Sequence, residues 1–187
     1  MKGVVVQLPV HLRSVAVVVI AVLLSNVAPA SADPINFNQP IQNNVNLKCL
    51  EPVGESMDPG AAIVQVTCET VPGGDLTAQL RIRAQDWGLV ALGDNKYRLL
   101  NHLSGLCIDA RGDAVNETPV VQWPCATISN QTWETGQRLP GVASLISRVS
   151  GTSNHCLDVP GGQPTDSLPL QIYVCNGTSA QAWRIGV

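Results

Sequence analysis

The sequence predicts an all-β fold built from three copies of one unit, and three observations predict it. The six cysteines fall into pairs, Cys49/Cys68, Cys107/Cys125 and Cys156/Cys175, separated by 19, 18 and 19 residues. Each first cysteine sits in a similar phrase (KCLEP, LCIDA, HCLDV), and each second one follows a short apolar segment (IVQVTC, VVQWPC, QIYVC). A Gln-x-Trp triplet then closes each unit, at 85–87, 131–133 and 181–183. Markers that recur in one order identify an internal repeat. Between them run short apolar stretches broken by Gly, Pro, Asn and Asp, as in YRLLNHLSGLCIDARGD, with no convincing 3.6-residue period. That pattern predicts about 12 short strands, four per unit.

The first 32 residues stand apart from the repeat. Lys2 and Arg13 flank an N-terminal region, Val15 to Leu24 is unbroken apolar sequence, and APASA ends at Ala32. This is the order of a secretory signal peptide cleaved after Ala32, which predicts a secreted, extracellular protein. The apolar run is too short to cross a bilayer, which needs about 20 residues, and no later segment is long enough, so no stable membrane insertion of the mature chain is expected. Beyond Ala32 the chain carries nine Lys and Arg against 14 Asp and Glu. An acidic exported chain without a basic run argues against nucleic acid and anionic lipid as partners. Residues 33–44 (DPINFNQPIQNN) read as a flexible lead-in.

Three units follow, at about 45–92, 93–140 and 141–187. A unit of under about 50 residues buries too little to stand alone, whereas three can share a core. The outer residues of Gln-x-Trp point to one face of a strand. Trp87, Trp133 and Trp183 are therefore expected in the core, with Gln85, Gln131 and Gln181 satisfying backbone groups at its edge. An even cysteine count in an oxidising compartment reads as disulfides, and the repeat infers intra-unit pairing among the 15 possible connectivities. Each bridge would close a loop of nearly twenty residues, a contribution of about 3 kcal/mol on the chain-entropy model. No CxxC or HxxxH spacing points to zinc.

These markers resemble the ricin-type β-trefoil lectins, a family also grouped among carbohydrate-binding modules. The resemblance covers about residues 45–187 and rests on the C-[LI]-D-[AV] phrase, the aromatic two residues before the second cysteine, and Gln-x-Trp. It implies a shallow sugar site on a unit, with an Asp accepting from ring hydroxyls, an aromatic stacking on the sugar and an Asn adding hydrogen bonds. A pyranose has an apolar C–H face and a polar rim, so this set suits it chemically. The middle unit carries Asp109, Trp123 and Asn130, with Gln131 adjacent, and is the main expected site. Val121 departs from the pattern there, where Gln171 stands in the third unit. The third unit has Asp158, Gln171 and Tyr173, but Ala180 replaces the Asn. The first unit has Glu51 before Pro52, Val66 in place of the aromatic, Ala84 in place of the Asn, and an insertion of about eleven residues, and is expected not to bind.

No catalytic constellation emerges, and neither a metal nor a cofactor is implied. His102 and His155 precede first cysteines and read as solvated, with no nucleophile beside them. No GxSxG, HExxH or phosphate-cradling glycine loop occurs. Asn116, Asn130 and Asn176 begin N-x-T sequons, which read as incidental. The expected partners are glycans or glycoconjugates. The alternative is an exported scaffold that binds a protein partner or targets a larger assembly.

Overall fold

The first unit shows how one repeat folds. Ile41–Asn43 forms β1, Lys48–Pro52 β2 and Ile63–Thr67 β3, and Trp87–Gly93 forms β4 after a helix, α1, at Leu76–Gln85. The middle unit repeats the strands as β5 (Lys96–Asn101), β6 (Cys107–Ala110), β7 (Thr118–Trp123) and β8 (Trp133–Leu139). The third has β9 (Val142–Ser147), β10 (His155–Asp158), β11 (Leu168–Pro169), β12 (Gln171–Val174) and β13 (Trp183–Ile185). This computed structural model describes residues 40–69, 75–151 and 154–186. The signal peptide expected over 1–32 and most of the lead-in lie outside the described residues.

The chain is a β-trefoil, as the repeat predicts. The strands make one continuous hydrogen-bonded sheet, and each unit contributes four of them. The thirteenth is the two-residue β11, which pairs with β3 of the first unit. The hairpins β2–β3, β6–β7 and β10–β12 are equivalent: Cys49 lies opposite Val66, Cys107 opposite Trp123 and Cys156 opposite Tyr173. The disulfides are Cys49–Cys68, Cys107–Cys125 and Cys156–Cys175, all within units. The β4–β5 turn is made by Asp94 and Asn95, both at positive φ (50° and 56°), residue types that tolerate this backbone in a tight hairpin.

The core lies where the units meet. Trp87, Trp133 and Trp183 are fully buried among Ile41, Leu50, Ile63, Leu99, Ile108 and Leu157. Alternation explains the division: Leu50, Ile108 and Leu157 sit between cysteine and acid in their strands and so face the other way, into the core. Each indole N–H donates to the carbonyl of one of them, at 3.1, 3.1 and 3.0 Å.

Four expectations need correction. Residues 41–43 of the supposed lead-in form β1, paired with β13 through Ile41↔Ile185, and Ile41 is fully buried. The insertion of the first unit is helical over Leu76–Gln85, although its apolar residues alternate like those of a strand. Asp75 caps it, accepting from the Ala78 N–H at 2.7 Å, and Leu, Ala, Gln and Arg are good helix formers. The Gln of Gln-x-Trp is not in a strand: Gln85 ends α1, while Gln131 and Gln181 end short 3-10 turns at Ser129–Gln131 and Ser179–Gln181. His155 is buried in β10, its Nδ1 2.9 Å from Asn154 Oδ1, and His102 is half-buried.

Trp133→Ala removes a fully buried indole and leaves the Ile108 carbonyl unpaired. It is expected to lower stability by about 3–5 kcal/mol, measured by urea unfolding of the oxidised protein.

Candidate functional site

The repeat builds one device three times. In each unit the Gln of Gln-x-Trp donates to a buried acid: Gln85 Nε2 to Glu51 at 2.9 Å, Gln131 Nε2 to Asp109 at 3.0 Å and Gln181 Nε2 to Asp158 at 3.1 Å. The same amide also donates to the Thr67, Pro124 or Val174 carbonyl and accepts from the Glu69, Ala126 or Asn176 N–H. Such a Gln does more than close the core edge. It ties the acid to the loop around the second cysteine and fixes the direction in which the carboxylate points.

What surrounds the acid differs from unit to unit. Strand register places Val64, Val121 and Gln171 opposite Glu51, Asp109 and Asp158. In the third unit Gln171 reaches across the strand pair, and its Nε2 donates to Asp158 Oδ1 at 2.8 Å. Both Asp158 oxygens are thus held. Burial pushes its pKa above the ordinary carboxyl value, partly offset by these two amides. A cavity of about 640 Å³ opens over this acid, lined by Gln171 and Tyr173 of β12, by Gly161 and Gly162, and by Ser179 and Ala180. Tyr173 is half-buried, and Glu117, from the loop between β6 and β7 of the middle unit, completes the rim.

In the middle unit Gln131 adjoins Asp109, and the hydrogen-bonding groups of the expected polar residues are partly occupied. Asp109 is buried and bound by Gln131. The Asn130 amide donates to the Ala110 carbonyl at 3.0 Å and the Gly112 carbonyl at 3.4 Å. The half-buried Trp123 carries the Arg111 guanidinium 3.9 Å from its ring centroid, a cation–π pair. Gly60 of the first unit lies against the same indole, where an added Cβ would meet the ring at 3.4 Å. No signal in the sequence ties Gly60 to this tryptophan.

The first unit has an acidic hollow instead. A cavity of about 550 Å³ is lined by Glu51, Glu55, Glu69 and Asp166, with Arg81 of α1 across it. Arg81 lies 3.3 Å from Glu55 and 3.9 Å from Glu69. Burial, above all, raises the Glu51 pKa, with the charges of Glu55 and Asp166 adding to the effect. Among the described residues no group of His, Cys, Asp and Glu could hold a metal ion.

A neighbouring unit closes every site. The Gly60, Glu117 and Ser167 N–H groups donate to the carbonyls of Gln122, Ile172 and Gln65, at 2.7, 3.0 and 2.8 Å. In this way a loop of the first, middle and third unit is pinned to β7, β12 and β3 respectively.

Comparison with known proteins agrees with this architecture. The family described as Ricin-type beta-trefoil lectin domain matches residues 37–183. Among curated proteins, Serine protease 1 of Rarobacter faecitabidus is 51% identical over 35 residues, 19% of this chain and only 7% of that protein's length. Among solved structures, the designed 3-fold symmetric protein ThreeFoil is 26% identical with a TM-score of 0.68, over 79% of this chain and 97% of its own. A ricin B-like lectin of Macrolepiota procera, solved in complex with lactose, is 17% identical with a TM-score of 0.60, over 79% and 93% of the two chains.

The Glu51 shift has a consequence for stability. Folded Glu51 holds its proton more tightly than the unfolded chain does, so its contribution is fully present below the ordinary value of 4.5 and is lost as pH rises through the folded value. Glu51→Gln keeps an oxygen that can accept from Gln85 and removes the buried charge. It is expected to raise the urea midpoint near neutral pH and to lose that advantage below pH 4.5, read from parallel unfolding curves.

Proposed function

The chain belongs to the ricin-type β-trefoil lectin family, and from that premise we propose a secreted, non-catalytic carbohydrate-binding protein with its most open site in the third unit. The observation that carries this reading is a buried carboxylate, Asp158, fixed by two amides on the floor of an open cavity beside the Tyr173 ring. A sugar ring offers hydroxyl donors to such a carboxylate and a C–H face to such a phenol. Gln171 adds a polar group on the same wall. Ala180, where the middle unit has Asn130, leaves the space unfilled.

The middle unit is the second proposed site, using Asp109, Trp123 and the Asn130 side-chain oxygen, with the fully buried Gln131 holding Asp109 in place rather than touching the sugar. Arg111 competes there with a sugar for the face of Trp123. Shallow single sites of this kind correspond to a Kd of about a millimolar, or about −4 kcal/mol. Two of them on one rigid body gain by avidity on a glycan-coated surface. The rival reading, a module that docks on a protein partner, draws on α1, where Leu76 is 70% exposed and Leu80 38%.

Lactose and galactose are the first probes, followed by NMR titration and a glycan array. Tyr173→Ala is expected to weaken the third site about tenfold, the loss of an aromatic platform, without lowering the urea midpoint. Arg111→Ala is expected to strengthen the middle site by baring the indole face. The double variant Tyr173→Ala/Trp123→Ala should lose the glycan signal while remaining folded. Undiminished signal in that variant would refute both sites.

A further inference from the structure

We propose that Glu117 gives the third unit's cavity a charge filter: neutral and amine-bearing sugars enter, and anionic sugars such as uronates, sialosides and sulfate esters are turned away. This rests on the sugar-binding reading above and adds the ligand class to it.

Charge supplies the first argument. The residues lining the cavity include two carboxylates, Asp158 and Glu117, and no Lys, Arg or His. The two oxygens of Asp158 already accept from Gln171 and Gln181, an arrangement that suits its ionised form. An anionic ligand would meet these carboxylates with no cation among the lining residues, and the nearby Arg138 guanidinium is engaged by the Gly177 and Thr178 carbonyls. At about 6 Å and an effective dielectric of about 40, one charge pair alters affinity roughly tenfold.

Backbone geometry supplies the second. Glu117 has a φ of 69°, in the left-handed region that favours glycine. The equivalent position in the first unit is Gly60 (φ 90°) and in the third is Ser167 (φ 59°), each donating its N–H to the adjacent unit in the same way. Neither brings a charge to the site that it closes. A long anionic side chain at a position where glycine is easier to accommodate is strain located at a binding cavity. The Glu117 N–H donates at 3.0 Å to the carbonyl of Ile172, the residue between Gln171 and Tyr173, and this bond anchors the backbone of the exposed Glu117 at the rim of the cavity.

The test uses full-length secreted protein carrying Trp123→Ala, which silences the middle site, and compares Glu117, Glu117→Gln and Glu117→Gly. The probes are the methyl glycosides of galactose, galactosamine and galacturonic acid with the matching glucose series, titrated by NMR at about pH 6 in low and high salt. The expected order is amine tighter than neutral tighter than acid, with roughly tenfold between neighbours at low salt and a smaller spread at high salt. Both Glu117 variants should compress that spread, and Glu117→Gly should be no less stable than its parent to urea. If no glycoside in either series binds, the third unit's sugar site falls and this inference with it. If neutral glycosides bind but the uronates bind equally well, or the spread survives in Glu117→Gln, this inference alone is overturned.

Discussion

The structure depends on one buried hydrogen bond made three times, from the indole N–H of Trp87, Trp133 and Trp183 to the carbonyl of Leu50, Ile108 and Leu157. A buried indole N–H without a partner costs about 1–3 kcal/mol, so each tryptophan must enter the core where such a carbonyl waits. That carbonyl belongs to the residue between the first cysteine and the acid. The bond therefore ties β4 to β2, β8 to β6 and β13 to β10, closing each unit on itself. With the tryptophan located, the glutamine two residues earlier comes to the acid on the opposite side of the same strand. Orientation of the acid follows from burial of the indole.

A scaffold held this way leaves the outer residues free to diverge. The three acids have the same amide partner, yet one faces an acidic hollow bridged by Arg81, one lies beside an arginine stacked on tryptophan, and one opens onto a wide cavity. The core tryptophans and their carbonyl partners are the same in all three units. The inter-unit clasps diverge as well. Gln65 donates to the Gln163 and Thr165 carbonyls, and Gln122 to those of Ser56 and Asp58, while the third unit has the fully buried Ile172 at the equivalent position. Two junctions are polar and one is apolar.

The fold was legible because its determinants recur in the sequence. Cysteine spacing, the acid after the first cysteine and Gln-x-Trp each report a contact within one unit, and all three disulfides lie within units. The helix α1 was not legible, since LTAQLRIRAQ alternates like a strand and only its Asp75 cap and residue propensities favour a helix. Of the site, the acids were legible, while the amide bonds that hold them and the closing residues were not, since the glutamines read only as partners for backbone groups at the core edge. Gly60, Glu117 and Asp166 reach a site from another unit's loop, and no local pattern encodes a neighbour.

The residue that lowers the third unit's match to the family pattern is also the one that opens it. An asparagine before Gln-x-Trp reads as one more hydrogen-bonding group for a ligand, and by that measure Ala180 is a loss. In the middle unit, however, the Asn130 amide is turned back onto the Ala110 and Gly112 carbonyls and so donates to backbone. At the third site a methyl group stands there, with Gly162 beside it rather than a side chain, and the cavity remains open. A polar residue aids recognition only while its hydrogen-bonding groups are free. Counting matches to a motif weighs residue types, whereas binding depends on the volume and the unspent donors and acceptors that those types leave behind.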